Sequence, residues 1–127
     1  MAEFSTYRRV GNRELMQWYM QYNRKYFGGR LPTGKVVVKF VRTVDGDRRF
    51  LGHCRAYDKD GSVLIRISAT LASMRAVARM TLIHEMTHAY LDLWRVPGKR
   101  PDRNPHGRRF VEAMRKHAAA GAFDGLW

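Results

Sequence analysis

The chain has 127 residues, 45% of them hydrophobic, and 24 Lys plus Arg against 11 Asp plus Glu give a net charge of +13. This is the length and apolar content of one globular domain spanning 1–127. The only cysteine, Cys54, excludes a disulfide framework and a zinc ribbon and leaves a small strand residue. No apolar run is long enough to cross a bilayer, and Met1 to Val10 has no apolar signal core, so an intracellular monomer is expected (cytoplasm, nucleoid or nucleus).

A first helix is expected from Asn12, a good N-cap residue. Leu15, Trp18, Tyr19, Tyr22 and Tyr26 recur at helical spacing and should pack on a sheet. Gly28-Gly29 stops this helix. Three strands follow. Val36 to Val41 is a β-branched run. Phe50 to Tyr57 is interrupted by Gly52, and Ser62 to Ser68 puts Val63, Ile65 and Ile67 on one face. Asp45-Gly46 and Asp58-Lys59-Asp60-Gly61 are the turn signals, and the second and third strands should form an antiparallel hairpin.

A long helix is expected from about Ser73 to Trp94. It contains His84-Glu85-Met86-Thr87-His88, an H-E-x-x-H pattern. Residues four apart lie one above the other on a helix, so His84 and His88 can offer two imidazoles to one metal ion. Glu85 falls one step round the helix. A carboxylate there can accept a proton from water activated by the metal, which is the zinc peptidase arrangement. Val77, Met80, Leu82, Ile83, Met86, Ala89, Leu91 and Leu93 surround the motif with apolar groups. An unpartnered carboxylate in such a setting is costly, which argues against a chance match.

A basic loop, Val96 to Arg103, precedes a last helix expected to begin at Asn104-Pro105. Phe110, Val111 and Met114 give that helix an apolar face, and Phe123 and Trp127 dock or fray the tail. A catalytic zinc takes three protein ligands and leaves a position for water. The candidates for the third are Asp92, Asp102, His106, Glu112 and His117. His117 lies about three turns from His106, too far to share an ion, and reads as a cation at a helix C-terminus. Glu112 faces away from His106. Gly107 next to His106 suggests close backbone approach, and Phe110 could anchor that face to the motif helix, so His106 leads this set. Tyr57, Tyr90 and His53 are the candidates for an oxyanion partner, each with a structural alternative.

The basic balance points to a polyanion, nucleic acid ahead of an acidic protein or a surface selected for solubility. Lys99, Arg100, Arg103, Arg108 and Arg109 lie nearest the proposed ligand His106 and are the expected nucleic-acid contacts.

His84-Glu85-Met86-Thr87-His88-Ala89-Tyr90 followed by His106-Gly107-Arg108-Arg109-Phe110 resembles the SprT-like domain, with its H-E-x-x-H helix and downstream H-G-x-x-F element. Tyr22-Asn23-Arg24-Lys25-Tyr26-Phe27-Gly28-Gly29-Arg30-Leu31-Pro32 resembles the end of that family's first helix. Gly52-His53-Cys54 with Val63 to Ser68 resembles its hairpin. The resemblance covers Asn12 to Met114. It implies an α+β, zincin-like fold with three helices packed on a small three-stranded sheet. It further implies one zinc held by His84, His88 and His106, and Glu85 as catalytic base. The implied activity is DNA-dependent metalloendopeptidase action on proteins crosslinked to DNA. The expected partners are a protein substrate and DNA, with no membrane. In the absence of a zinc ribbon, DNA contacts are expected from the core itself. A DNA-independent peptidase with one specific protein substrate is the first alternative. The other is a non-catalytic, zinc-stabilised nucleic-acid-binding module, against which an intact Glu85 argues.

Overall fold

The computed structural model describes residues 9–44, 46, 50–57, 60–94 and 104–125. Helix α1 (Asn12–Tyr26) precedes strands β1 (Val36–Val41), β2 (Gly52–Tyr57) and β3 (Ser62–Ser68). A 3-10 turn (Ala69–Ser73), helix α2 (Arg75–Leu93) and helix α3 (Arg108–Ala119) complete the described chain. The arrangement is α+β, with three helices and a mixed three-stranded sheet among the described residues.

The sheet order is β1-β3-β2. The expected hairpin is present: β2 runs antiparallel to β3, with Cys54 opposite Ile65 and Gly52 opposite Ile67. β1 runs parallel to β3 on its other side, with Val38 opposite Ile65. β3 is therefore central, and its alternation has the expected effect: Val63, Ile65 and Ile67 are buried. α1 lies against β1, α2 against β2 and β3, and α3 packs on α2. Leu15, Tyr19 and Tyr22 of α1 meet Leu82, Ile83, Met86 and Ala89 of α2 in one core with the β3 face.

Several boundaries differ from those expected. Asn12 is the first helical residue, and the extended Gly11 precedes it without a side-chain cap. The Asn12 Oδ1 instead accepts the backbone N–H of Phe40 at 2.8 Å and ties α1 to β1. The second strand starts at Gly52, with Phe50 and Leu51 outside it. The long helix starts at Arg75, because residues 69–73 form the 3-10 turn, which opens with Ser68 Oγ accepting the Thr70 N–H. The last helix starts at Arg108, after a turn at Asn104–Gly107.

Gly28 and Gly29 end α1 as expected, with φ of +61° and +71°, a region that other residues enter at a cost. The chain then folds back on the helix. Asn23 Nδ2 donates to the Leu31 carbonyl and its Oδ1 accepts the Leu31 N–H, both at 2.9 Å. Tyr19 donates its hydroxyl to the Pro32 carbonyl at 2.7 Å. Asp60 Oδ1 and Gly61, with φ of +66°, shape the turn into β3. In the tail, Ala122 is buried and Phe123 packs on the core. Asp45, Asp58, Lys59, the loop 95–103 and Trp127 lie outside the described residues.

Candidate metal centre and cleft

Helix α2 places His84 and His88 one turn apart, with their Nε2 atoms 3.2 Å from each other. His106 approaches from the Asn104–Gly107 turn. Its backbone N–H donates to Asn104 Oδ1 at 2.9 Å, and Gly107 N–H donates to the Asn104 carbonyl at 2.9 Å. Asn104 thus shapes the turn that presents His106. The His106 Nε2 lies 3.0 Å from that of His84 and 3.1 Å from that of His88. Three imidazole nitrogens this close form a group that could hold one metal ion.

Phe110 fixes the cluster from below. Its ring stacks on His88 at 4.5 Å and meets His84 at 4.8 Å and His106 at 5.0 Å. The expected anchor of α3 on the motif helix is therefore in place. Burial, with the neighbouring histidines second, pushes the His88 imidazole down to about 4. Burial and then His106 push His84 in the same direction. Both effects favour the neutral imidazole that metal ligation requires.

Glu85 is only 7% exposed, and burial pushes its carboxyl up to about 7. Its Oε2 is 3.9 Å from His84 Nε2. Strand β2 lies against it at Gly52. A Cβ on Gly52 would stand 3.0 Å from Thr81 Cγ2 and 3.1 Å from Glu85 Cγ and Oε2. Glycine at this position lets the strand approach the carboxylate. The sequence showed only an isolated glycine interrupting a strand, a known sign of close backbone approach.

A cleft of about 570 Å³ opens on the cluster. Gly52, His53 and Cys54 of β2 form one wall, the motif helix the floor, and Pro105, His106 and Arg109 the opposite side. Of the three oxyanion candidates, His53 alone lines this cleft among the described residues, with its Nδ1 3.4 Å from an Arg66 guanidinium nitrogen. Tyr90 packs on Phe27 at 5.8 Å and borders a second cavity, and Tyr57 is half-exposed at the far end of β2. Cys54 is half-buried. Burial first, then the Glu85 and Asp92 charges, push its thiol up to about 12, which disfavours a nucleophilic thiolate.

Among the described residues, the other ligand candidates are not part of the histidine group. Glu112 is exposed and accepts from Arg108 at 3.0 Å. His117 is not the exposed helix-end cation that its position suggested. It is buried against Phe27 at 4.6 Å, and burial lowers its pKa. Asp92 lines the cleft outside the histidine group, and Asp102 lies outside the described residues. Of the basic residues expected at nucleic acid, Arg108 is exposed and Arg109 lines the cleft. Lys99, Arg100 and Arg103 lie outside the described residues.

The model of the SprT-like family matches residues 15–124. The DNA-dependent metalloprotease SPRTN of Homo sapiens is 31% identical over 105 residues, which is 81% of this chain and 20% of that protein. SPRTN of Rattus norvegicus and of Mus musculus are each 30% identical over the same share. The chain therefore spans about a fifth of the length of the curated relatives it matches. The family match takes in most of α1 with its Gly-Gly turn, the helix carrying His84, Glu85 and His88, and the turn carrying His106, and by that match the chain belongs to the SprT-like family.

Proposed function

We propose that this chain is a zinc metalloendopeptidase acting on proteins bound or crosslinked to DNA. The observation that supports it most is the convergence of three imidazole Nε2 atoms beside a buried carboxylate in an open cleft. His84, His88 and His106 would hold zinc, whose donor preferences and need for three ligands they match. Zinc in such a site supplies Lewis-acid polarisation of a carbonyl and lowers the pKa of water.

Glu85 is the general base in this reading. Burial holds its proton affinity near neutral pH, so the carboxylate can take a proton from water and later return it to the departing amine. Strand β2 is an edge of the described sheet and forms a cleft wall. It would hold a substrate segment extended by backbone pairing and present its carbonyl to the histidine cluster. His53, on the same wall, is the described side chain best placed to meet the developing oxyanion.

The DNA part rests on the net charge of +13, on Arg109 beside His106 in the cleft wall, and on the relatives, which are named as DNA-dependent metalloproteases. The test is cleavage of casein and of histones by zinc-loaded protein, with and without DNA. DNA-stimulated cleavage that disappears in Glu85→Gln, with zinc retained, is expected. Equal cleavage with and without DNA at low salt assigns the enzyme to DNA-independent proteolysis. Zinc-dependent DNA binding with no proteolysis assigns it to a non-catalytic module.

A further inference from the structure

A second cavity, of about 620 Å³, shares Leu91 and Arg109 with the histidine cleft as bordering residues. This volume falls within the ~300–1,000 Å³ usual for ligand pockets. Its walls combine aromatic rings with cations. Tyr26, Phe27 and Tyr90 supply the rings, and Arg30, Arg109 and Lys116 outnumber the single carboxylate of Glu112. That carboxylate is already engaged by Arg108. His117 lines the same cavity while only 7% exposed, and its Nε2 makes no hydrogen bond to a described residue. The cavity therefore meets the ring of His117, while the Nε2 atom itself is buried.

Trp94 extends this surface beyond the end of α2. Its Nε1 donates to the Arg30 carbonyl at 3.0 Å, and the Arg30 guanidinium lies 5.4 Å from its ring centre. About half of the Trp94 side chain remains exposed. An exposed indole next to a cationic, ring-lined cavity matches one ligand chemistry: a flat base attached to a phosphate chain. Bases stack on aromatic rings, phosphates pair with Arg and Lys, and unpaired base edges take hydrogen bonds. A duplex keeps its bases stacked and would use the cations alone. An acidic peptide would pair with the cations and leave the ring faces unused.

We propose that Trp94, Arg30, Lys116 and the cavity floored by His117 bind single-stranded nucleic acid, with Arg109 joining this surface to the histidine cleft. A strand held here lies next to the peptidase site and delivers the proteins attached to it. The inference rests on the nucleic-acid part of the proposed function and specifies where the strand lies.

The experiment is fluorescence anisotropy of labelled oligothymidylate with zinc-loaded protein at low salt. Trp94→Ala is expected to weaken binding on the order of tenfold, the usual loss when a stacking ring is removed, and Trp94→Phe to retain most of it. Lys116→Gln, at an exposed helical position, should also weaken binding and lower the salt slope by about 0.7. Arg13→Gln removes the same charge at the far end of α1, roughly 20 Å from Tyr26 at helical rise, and should change little. Oligouridylate binding as well as oligothymidylate extends the site to RNA, and weaker binding restricts it to DNA.

Failure to bind the oligonucleotide overturns the proposal. So do tighter binding of the matched duplex, equal displacement by polyglutamate, or equal loss in Arg13→Gln and Lys116→Gln. The two readings fail separately. DNA-stimulated proteolysis with oligonucleotide binding unchanged in Trp94→Ala and Lys116→Gln removes this location and leaves the DNA-directed peptidase. Trp94-dependent binding with proteolysis indifferent to DNA does the reverse.

Discussion

The α-carbon of Gly52 sits so close to Glu85 that a methyl group on it would stand 3.1 Å from the carboxylate's Oε2. This links the edge strand to the proposed base. Gly52→Ala forces Glu85 or Thr81 to shift by a few tenths of an ångström, since both are within 3.1 Å of the new carbon. Small misplacements of a reacting group lower rates by up to about a hundredfold. The expected result is a drop in kcat of about tenfold or more, with zinc content retained. Wild-type kcat in Gly52→Ala, measured on an unstructured peptide, would show that the strand's approach does not set the Glu85 geometry.

The ligand set makes a separate claim. His84→Ala, His88→Ala and His106→Ala should each lower zinc occupancy measured by elemental analysis, and Glu112→Ala should not. Glu112 is exposed and paired with Arg108, whereas His106 Nε2 lies within 3.1 Å of both other imidazoles. Full occupancy in His106→Ala with loss in Glu112→Ala reverses the assignment.

Phe110 should couple folding to metal affinity. It touches all three histidine rings and is 7% exposed. Phe110→Ala is expected to cost about 3–5 kcal/mol, as deletions of buried rings do. It should also weaken zinc binding by ~10–100-fold, as the loss of groups that orient ligands does. Denaturant melts and zinc titration with a competing chelator read the two effects separately. Unchanged zinc affinity would mean that α2 and the Asn104 turn orient the histidines without Phe110.

Burial lowers the His117 pKa below its usual 6.5, so folding favours its neutral form. The unfolded chain therefore binds more protons than the native one as pH falls below 6.5, and native stability declines there. At higher pH both states are neutral and the effect vanishes. His117→Phe should flatten the pH dependence of urea midpoints below that value. A slope equal to wild type would assign the acid sensitivity to other groups, including general repulsion at a charge of +13.

DNA stimulation should weaken steeply with salt, because each neutralised phosphate releases counterions. Replacing Arg100, Arg103, Arg108 and Arg109 by Gln should reduce stimulation more than cleavage of an unstructured peptide. Comparable losses in both assays would place these arginines in the support of the fold or site.

Much of the fold was legible because local rules and tertiary packing agree here. The α1 stripe, the Gly28-Gly29 stop and the alternation in β3 follow directly from periodicity and backbone sterics, and each is present. Helix ends were less legible. Asn12 and Asn104 both look like N-caps, but the first bonds to β1 and the second shapes the His106 turn. A short polar side chain satisfies whichever backbone group the fold brings near, and sequence does not specify that group.

The candidate site divides the same way. Spacing four apart on one helix determined that His84 and His88 face one point, since helical geometry is local. Whether His106 joins them depends on how the Asn104 turn and Phe110 seat α3 on α2, a contact between segments 18 residues apart in sequence. The burial of His117, the approach of Gly52 to Glu85 and the meeting of Trp94 with Arg30 are decided in the same way. Composition determined the charge of +13, and tertiary structure decided that Arg30, Arg109 and Lys116 border one cavity. Local geometry repeats with the chain and can be read from it. Side chains brought together by packing have no period in the sequence.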